Sequence, residues 1–266
     1  MKKYPTTITD SQWKVIKKFL NIKRKRKHSL RRMLNAIFYL LKTGCQWSML
    51  PHNFPKWQSV YYYFKQWTMT GVIEKIRIRL VTTVRQQRKR KAQPSAAIID
   101  AQSVKSTLVS SHSHTGYDGG KKIKGIKRHI VVDTQGLLLD VMVHSAAMAD
   151  IKGGRLLLEQ LRSDNQWTGI EKVFADSGYL PPKHRMTKTH STLGGYELEI
   201  VKKPAEAAGE FKPVPKRWVV ERTFAWQDTN RRLSKSFERL PSTEEAMVEL
   251  AAIRTMLKHC STTVNN

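Results

Sequence analysis

Two carboxylates stand where apolar runs stop. Ala96-Ala97-Ile98-Ile99 ends in Asp100, and Val173-Phe174-Ala175 ends in Asp176. If both runs are strands lying side by side, the two acids meet in space despite their separation in sequence. A third acid, Glu221, lies within Arg217-Trp218-Val219-Val220-Glu221-Arg222-Thr223-Phe224-Ala225-Trp226. On a helix its neighbours at i−3, i+3 and i+4 are Trp218, Phe224 and Ala225, so Glu221 is expected to point along an apolar face. An inward acid needs a partner, because an unpaired buried charge is costly. Arg217, at i−4, is one candidate and would make Glu221 structural. A divalent cation is the other. Oxygen-only ligation suits Mg²⁺, which takes one or two carboxylates together with waters and phosphate oxygens. Two ions about 3.5–4 Å apart activate an attacking oxygen and stabilise a leaving one, which is the chemistry of phosphodiester cleavage. Asp100, Asp176 and Glu221 are therefore the candidate catalytic and metal-ligating residues.

The elements that would position them read as an α/β domain. His129-Ile130-Val131-Val132 and Leu137 to Val143 flank the turn sequence Asp133-Thr134-Gln135-Gly136, which predicts a hairpin. Helices are expected from Asp150, from Val219 to about Ser234 and over residues 244–258, with further strands at 170–175 and 196–201. Other acids have plainer roles: Asp133 in turn chemistry, Asp140 at an exposed strand position and Asp150 as a helix cap. His112 and His114 belong to a polar loop. Cys45 and Cys260 are ordinary thiols; two cysteines exclude a disulfide framework and a Cys-rich zinc site.

The charge is one-sided. The 266 residues carry 48 Lys and Arg against 21 Asp and Glu, a net charge of +27. Residues 1–93 hold 23 of those basic residues and only Asp10 and Glu74 as acids, a net +21, whereas the remainder is nearly balanced. A polyanion is the expected partner, with nucleic acid ahead of a membrane surface. The basic part reads as helical. Thr9 and Gln12 form a capping-box signal before Trp13, Ile16, Phe19 and Leu20. Ser29 is placed to cap a helix that Gly44 ends. Helical stretches at 59–67 and 72–90 follow, in a layout like a helix-turn-helix. Lys23-Arg24-Lys25-Arg26-Lys27, Arg31 and Arg32 are candidate phosphate contacts, as are Lys121, Lys122, Lys124, Lys127 and Arg128 beside the hairpin. Trp13, Trp47, Trp57 and Trp67 read as core. No apolar run is long enough for a membrane span, and the basic N-terminus lacks the apolar stretch of a signal peptide, so a cytoplasmic, nucleoid-associated location is expected.

Several ordered motifs together carry a resemblance: Ile99-Asp100-Ala101-Gln102-Ser103-Val104-Lys105, Gly120 to Gly125 through Arg128-His129, Ala175-Asp176-Ser177-Gly178-Tyr179, and the Arg217–Trp226 segment. They resemble the insertion-sequence-five family of DDE transposases, and the resemblance extends through Trp47–Pro51 and Trp57–Trp67 over almost the whole chain. It implies a ribonuclease-H-like catalytic domain with a mixed central sheet at residues 94–266, preceded by a small all-helical DNA-binding region at 1–93. It further implies two Mg²⁺ ions (Mn²⁺ as a substitute), with Asp100, Asp176 and Glu221 at the positions of the catalytic triad. Arg217 matches the Arg that accompanies the Glu in the wider group. Val214 stands where that group has Tyr and Asp228 where it has Lys, so Arg231, Arg232 and Lys235 are expected to supply phosphate contacts there. The implied activity is binding of element ends, strand cleavage and strand transfer on double-stranded DNA, in a homodimer or higher assembly. A metal-dependent nuclease without joining, and a decayed transposase acting as a DNA-binding repressor, are the alternatives.

Overall fold

The computed structural model describes residues 4–23, 25–107, 114–184, 189–201 and 216–260. Arg24, His112 and Val214 lie outside the described residues, as does the side chain of Cys260.

The helical region begins with α1 (Asp10–Ile16). The Thr9 hydroxyl accepts the Gln12 N–H at 3.2 Å while the Gln12 side chain accepts the Thr9 N–H at 3.0 Å, a reciprocal cap. Ser29 caps α2 (Leu30–Thr43), and Gly44 closes it at φ 71°. Glycine is required at that position by the left-handed backbone and by crowding, since a Cβ would lie 3.0 Å from the Cβ of Arg231. α3 (Trp57–Met69) and α4 (Val72–Gln87) complete the region. Trp67 is buried, and Trp13 and Trp47 pack against the core. Trp57 departs from the core expectation. As the first residue of α3 it is 38% exposed, and with Trp47 and Tyr61 it lines a groove of about 680 Å³.

The rest is built on a mixed sheet. β1 (Ala96–Lys105) pairs antiparallel with β3 (Ile123–Asp133) and parallel with β5 (Lys172–Ala175). β3 carries β4 (Leu138–Ser145) and the short β2 (Gly116–Asp118) along its other edge. Beyond β5 come β7 (Tyr196–Ile200), parallel, and β6 (His190–Leu193), antiparallel. Three antiparallel strands followed by two parallel ones form the ribonuclease-H-like sheet. The expected hairpin is β3–β4, turned at Asp133 to Gly136. β1 runs five residues past Asp100, so Asp100 is a mid-strand residue rather than a strand end: the ladder to β3 continues through Lys105↔Gly125.

α5 (Asp150–Ser163) covers one face of the sheet, and α6 (Arg217–Asp228) and α7 (Pro241–Cys260) cover the other. β3 is thus buried on both faces, and alternate residues point to opposite helices. Lys127 reaches Asp150 of α5 at 2.7 Å and the Met148 carbonyl at 2.9 Å. Arg128 reaches Glu244 of α7 and the Leu233 carbonyl. Neither side chain is available to a phosphate, which corrects the sequence expectation for both. Asp150 is the first residue of α5 rather than its cap, Ala149 being the cap residue. α6 ends at Asp228, and Arg231 and Arg232 lie in a separate 3-10 turn, Arg231–Leu233. Arg232 is buried against Glu238 at 2.6 Å and is not a phosphate contact either.

The helical region packs onto this domain through α7, and Arg77 of α4 is buried against it. Its guanidinium donates to Glu249 at 2.7 Å and to the Leu139 carbonyl, with Asp140 at 3.7 Å and Glu74 at 4.0 Å. Asp140 is therefore buried, not exposed. Asp133 accepts the N–H groups of Gln135 and Leu137, as turn chemistry requires, and is fully buried against Arg85. Burial raises the Asp140 carboxyl to about 6, and raises Glu245, which accepts the Val143 N–H at 2.8 Å, to about 7. Asp140, Glu249 and Glu244 push Glu245 further in the same direction. Each group binds its proton more tightly folded than unfolded. Their contribution is fully present below about pH 4.5 and is lost as pH rises through about 7. Glu245→Gln should match the wild type near pH 4.5 and be more stable by roughly 1–3 kcal/mol at pH 8. Urea unfolding at both pH values tests this; parallel stability curves would exclude Glu245 as the titrating group.

Candidate active site

The parallel register between β1 and β5 places the first two acids. Ile98 pairs with Phe174, so Asp100 and Asp176, each two residues further on, stand abreast on the same side. That side faces α6: Gln102, on the same face as Asp100, donates to Asp228 of α6 at 3.0 Å. Asp176 caps the 3-10 turn Ser177–Tyr179 and accepts the Gly178 N–H at 2.7 Å. One Asp100 oxygen accepts the Ala101 N–H at 2.7 Å.

Glu221 arrives differently from the sequence expectation. The buried face of α6 is Val219, Val220, Thr223, Phe224 and Gln227, while Trp218 and Ala225 are exposed. Glu221 therefore stands outward, with its side chain 55% exposed. Arg217 links it to the pair: one guanidinium nitrogen lies 3.3 Å from Glu221 Oε1 and 3.8 Å from Asp176 Oδ2. The salt bridge to Arg217 is the structural role that the sequence allowed for Glu221, and the same guanidinium is the group it shares with Asp176. Among the described residues the three acids do not close into a ready-made metal cage.

The electrostatics favour a cation. Burial pushes the Asp100 carboxyl up to about 6, the Ala101 N–H opposes that, and the neighbouring charge of Asp176 adds to it. Arg217 and Lys121 pull the other way, with Lys121 Nζ donating to the Ala101 carbonyl at 3.0 Å. A buried carboxylate with a like charge beside it is relieved by positive charge nearby, and oxygen-only donors suit a hard divalent ion. The donor set fits such an ion.

Residues 91–256 match the family described as "Transposase DDE domain". The chain belongs to that family. Transposases of this family use divalent metal ions, in accord with the donor set. Residues 8–77 match a second family, "Putative transposase of IS4/5 family". A stretch of 131 residues is 31% identical to the "Putative transposase for insertion sequence element IS402" of Burkholderia cepacia, covering 47% of this chain and 60% of that protein. The chain thus spans about 60% of the length of the relative it matches. No solved structure matches it.

Around the acids of this DDE transposase chain, Lys121, Lys122 and Lys124 are exposed at the β2–β3 connection, as are Arg231 and Lys235 beyond α6. In the helical region Lys23, Lys25 and Lys27 are exposed, whereas Arg31 is paired with Asp10 and the Ile8 carbonyl. Arg26 donates to the Tyr63 hydroxyl at 3.2 Å and Arg32 to the Asn53 carbonyl at 2.8 Å. Sequence reasoning missed the burial of Tyr179 against Gly154 of α5 and the contribution of Lys121 to the electrostatics of Asp100. Tyr179 was legible only as the end of the Asp176-Ser177-Gly178-Tyr179 motif.

No helix among the described residues is long and apolar enough to cross a membrane.

Proposed function

We propose that this chain is the transposase of an insertion element, binding the element's ends and cutting and joining DNA strands at Asp100, Asp176 and Glu221. The observation that carries the reading is the parallel β1–β5 register that sets Asp100 and Asp176 abreast, with Arg217 joining Asp176 to Glu221. Mg²⁺, with Mn²⁺ as a substitute, would be held by Asp100 and Asp176 with Glu221 completing the set, and two such ions would supply an activated attacking oxygen and a stabilised leaving oxygen. The protein's own part is positional. The Ala101 and Gly178 N–H groups fix one oxygen of each Asp, leaving the others to face the substrate. Arg217 sets the reach of Glu221, and Lys121 brings positive charge to the edge where a scissile phosphate would approach.

The division of labour follows the charge. Residues 1–93, at +21, hold the duplex, and residues 94–266 act on it. Bringing two ends together requires a dimer or larger assembly on DNA. The exposed lysines of both parts should make binding steeply salt-dependent, because each neutralised phosphate releases counterions. Replacing Lys121, Lys122 and Lys124 by Ala should flatten the log–log salt slope by about 0.9 for each phosphate that is no longer neutralised. An unchanged slope would remove this edge from the DNA path.

The reading is tested by incubating labelled element ends with the protein and Mg²⁺ and mapping the strands. Cleaved and joined products are expected. Cleavage without joining would mark a nuclease, and binding without cleavage a repressor.

A further inference from the structure

Of the four helices in the basic region, α3 alone turns a stripe of unoccupied polar side chains to solvent. Its buried side is Val60, Phe64 and Trp67. On the opposite side Gln58, Tyr62, Lys65 and Gln66 are exposed, Tyr62 by 60%. At helical spacing these four share a stripe about 100° wide. Among the described residues none of the four side chains makes a hydrogen bond or an ion pair. The other helices offer no such face. α1 exposes only Asp10 and Lys14, and every described residue of α2 is buried or half-buried. α4 exposes Lys75 and Arg79 before its last turn.

The surroundings of the stripe are cationic. Between Asp10 and Glu74 the sequence holds no Asp or Glu, and Lys56 stands exposed just before the helix. The basic link lies alongside. Arg26 Nε donates to the Tyr63 hydroxyl at 3.2 Å, and the Tyr63 ring meets that of Tyr62 edge-on at 5.5 Å. The exposed Lys25 and Lys27, on either side of Arg26, are thereby tied to the flank of the stripe. A second copy of this chain is a poor occupant, because a two-fold contact would set the same basic link against itself. Duplex DNA fits on both counts. Its major groove admits a helix, and glutamine amides pair with adenine there, lysine with guanine and an apolar ring with the thymine methyl. Flanking lysines take the phosphates, which fix orientation without reading sequence.

We infer that α3 is the helix that reads the sequence of the element's ends: Gln58, Tyr62, Lys65 and Gln66 meet base edges in the major groove, and Lys25 and Lys27 hold the adjoining backbone. The inference rests on the proposed binding of element ends by residues 1–93 and names the side chains that make that binding selective. Gln58 and Gln66 are eight residues apart, about 12 Å along the helix, so the bases they read lie within about four base pairs of each other.

The test selects bound duplexes from a randomised pool with the full-length protein, without Mg²⁺ so that no strand is cut. The wild type should enrich one motif. Gln58→Lys and Gln66→Lys, both at exposed positions, should melt like the wild type and each exchange a selected adenine for guanine, at two neighbouring places in the motif. Each should bind the wild-type motif about 5- to 150-fold more weakly, the scale for losing a bidentate base contact. Lys25→Ala with Lys27→Ala should keep the motif, weaken binding to every sequence and flatten the log–log salt slope by about 0.9 per lost phosphate contact. If both glutamine variants enrich the wild-type motif with wild-type affinity, α3 does not read the bases and the inference is overturned while end binding stands. An unchanged motif with an altered sedimentation coefficient would make the stripe a protein interface and overturn it equally. If the wild type enriches no motif, the proposed end binding fails and this inference falls with it.

Discussion

Asp100→Asn should leave a folded protein that binds DNA as well as the wild type and has all but lost strand cleavage. Asn keeps the shape and still offers one oxygen, but it removes the charge that a hard divalent ion requires. Losing a hydrogen-bond partner of a metal ligand costs about 10- to 100-fold, so losing the charge of a ligand itself should exceed that range. The fold should tolerate the change, since burial already penalises the ionised form of Asp100 and raises its pKa to about 6. Asp176→Asn should behave alike, and the double substitution should be little worse than either, because residues that act as a unit do not contribute additively. Glu171, exposed just before β5, is a fair control, and Glu171→Gln should cleave at the wild-type rate. Glu221→Gln is the sharper question. Its salt bridge to Arg217 would persist only as a weaker hydrogen bond, so a variant that folds, binds DNA and still cuts would leave Glu221 with the structural role alone. The measurement is cleavage of labelled ends across a Mg²⁺ titration, after circular dichroism has established the fold.

The second large effect is on stability. Arg128→Met should destabilise the protein by about 3–5 kcal/mol, the scale for removing one member of a buried ion pair. Arg128 is 0% exposed on β3, its Nε donates to Glu244 at 2.9 Å and one terminal nitrogen donates to the Leu233 carbonyl at 2.8 Å. Without it Glu244 is left buried with, among the described residues, only the Ser236 hydroxyl, at 3.2 Å, as a side-chain donor. Arg128→Met combined with Glu244→Leu should recover most of the loss, because replacing both partners by apolar groups removes the stranded charge. Denaturant midpoints for the two single variants and the double variant measure the coupling. An Arg128→Met protein of wild-type stability and weakened DNA binding would return this residue to the phosphate contacts that its sequence context suggested.

Much of the local structure was legible because its signals are short-range. Thr9 with Gln12, Ser29 and Gly44 each satisfy or terminate a helix through neighbours a few residues away, and all three act as their types indicate. The β3–β4 hairpin follows from a turn sequence between apolar runs. The acids were found for the same reason, as interruptions of apolar runs, and the family motifs confirm the kind of domain that contains them.

What the chain alone determined is therefore the order of its elements, the one-sided charge of its first third and the two carboxylates, Asp100 and Asp176, that interrupt its apolar runs. Tertiary structure decided which side chains that charge leaves for a ligand. Lys127 and Arg128 look like any basic surface run until β3 is covered on both faces, whereupon alternation sends one to Asp150 and the other to Glu244. Asp140 looks exposed until Arg77 of α4 packs over β4, and Glu221 looks inward until the docking of α6 turns Val220 and Phe224 to the core instead. Periodicity specifies that residues alternate or share a face. Which face meets water depends on partners contributed from elsewhere in the chain, and only their packing settles it.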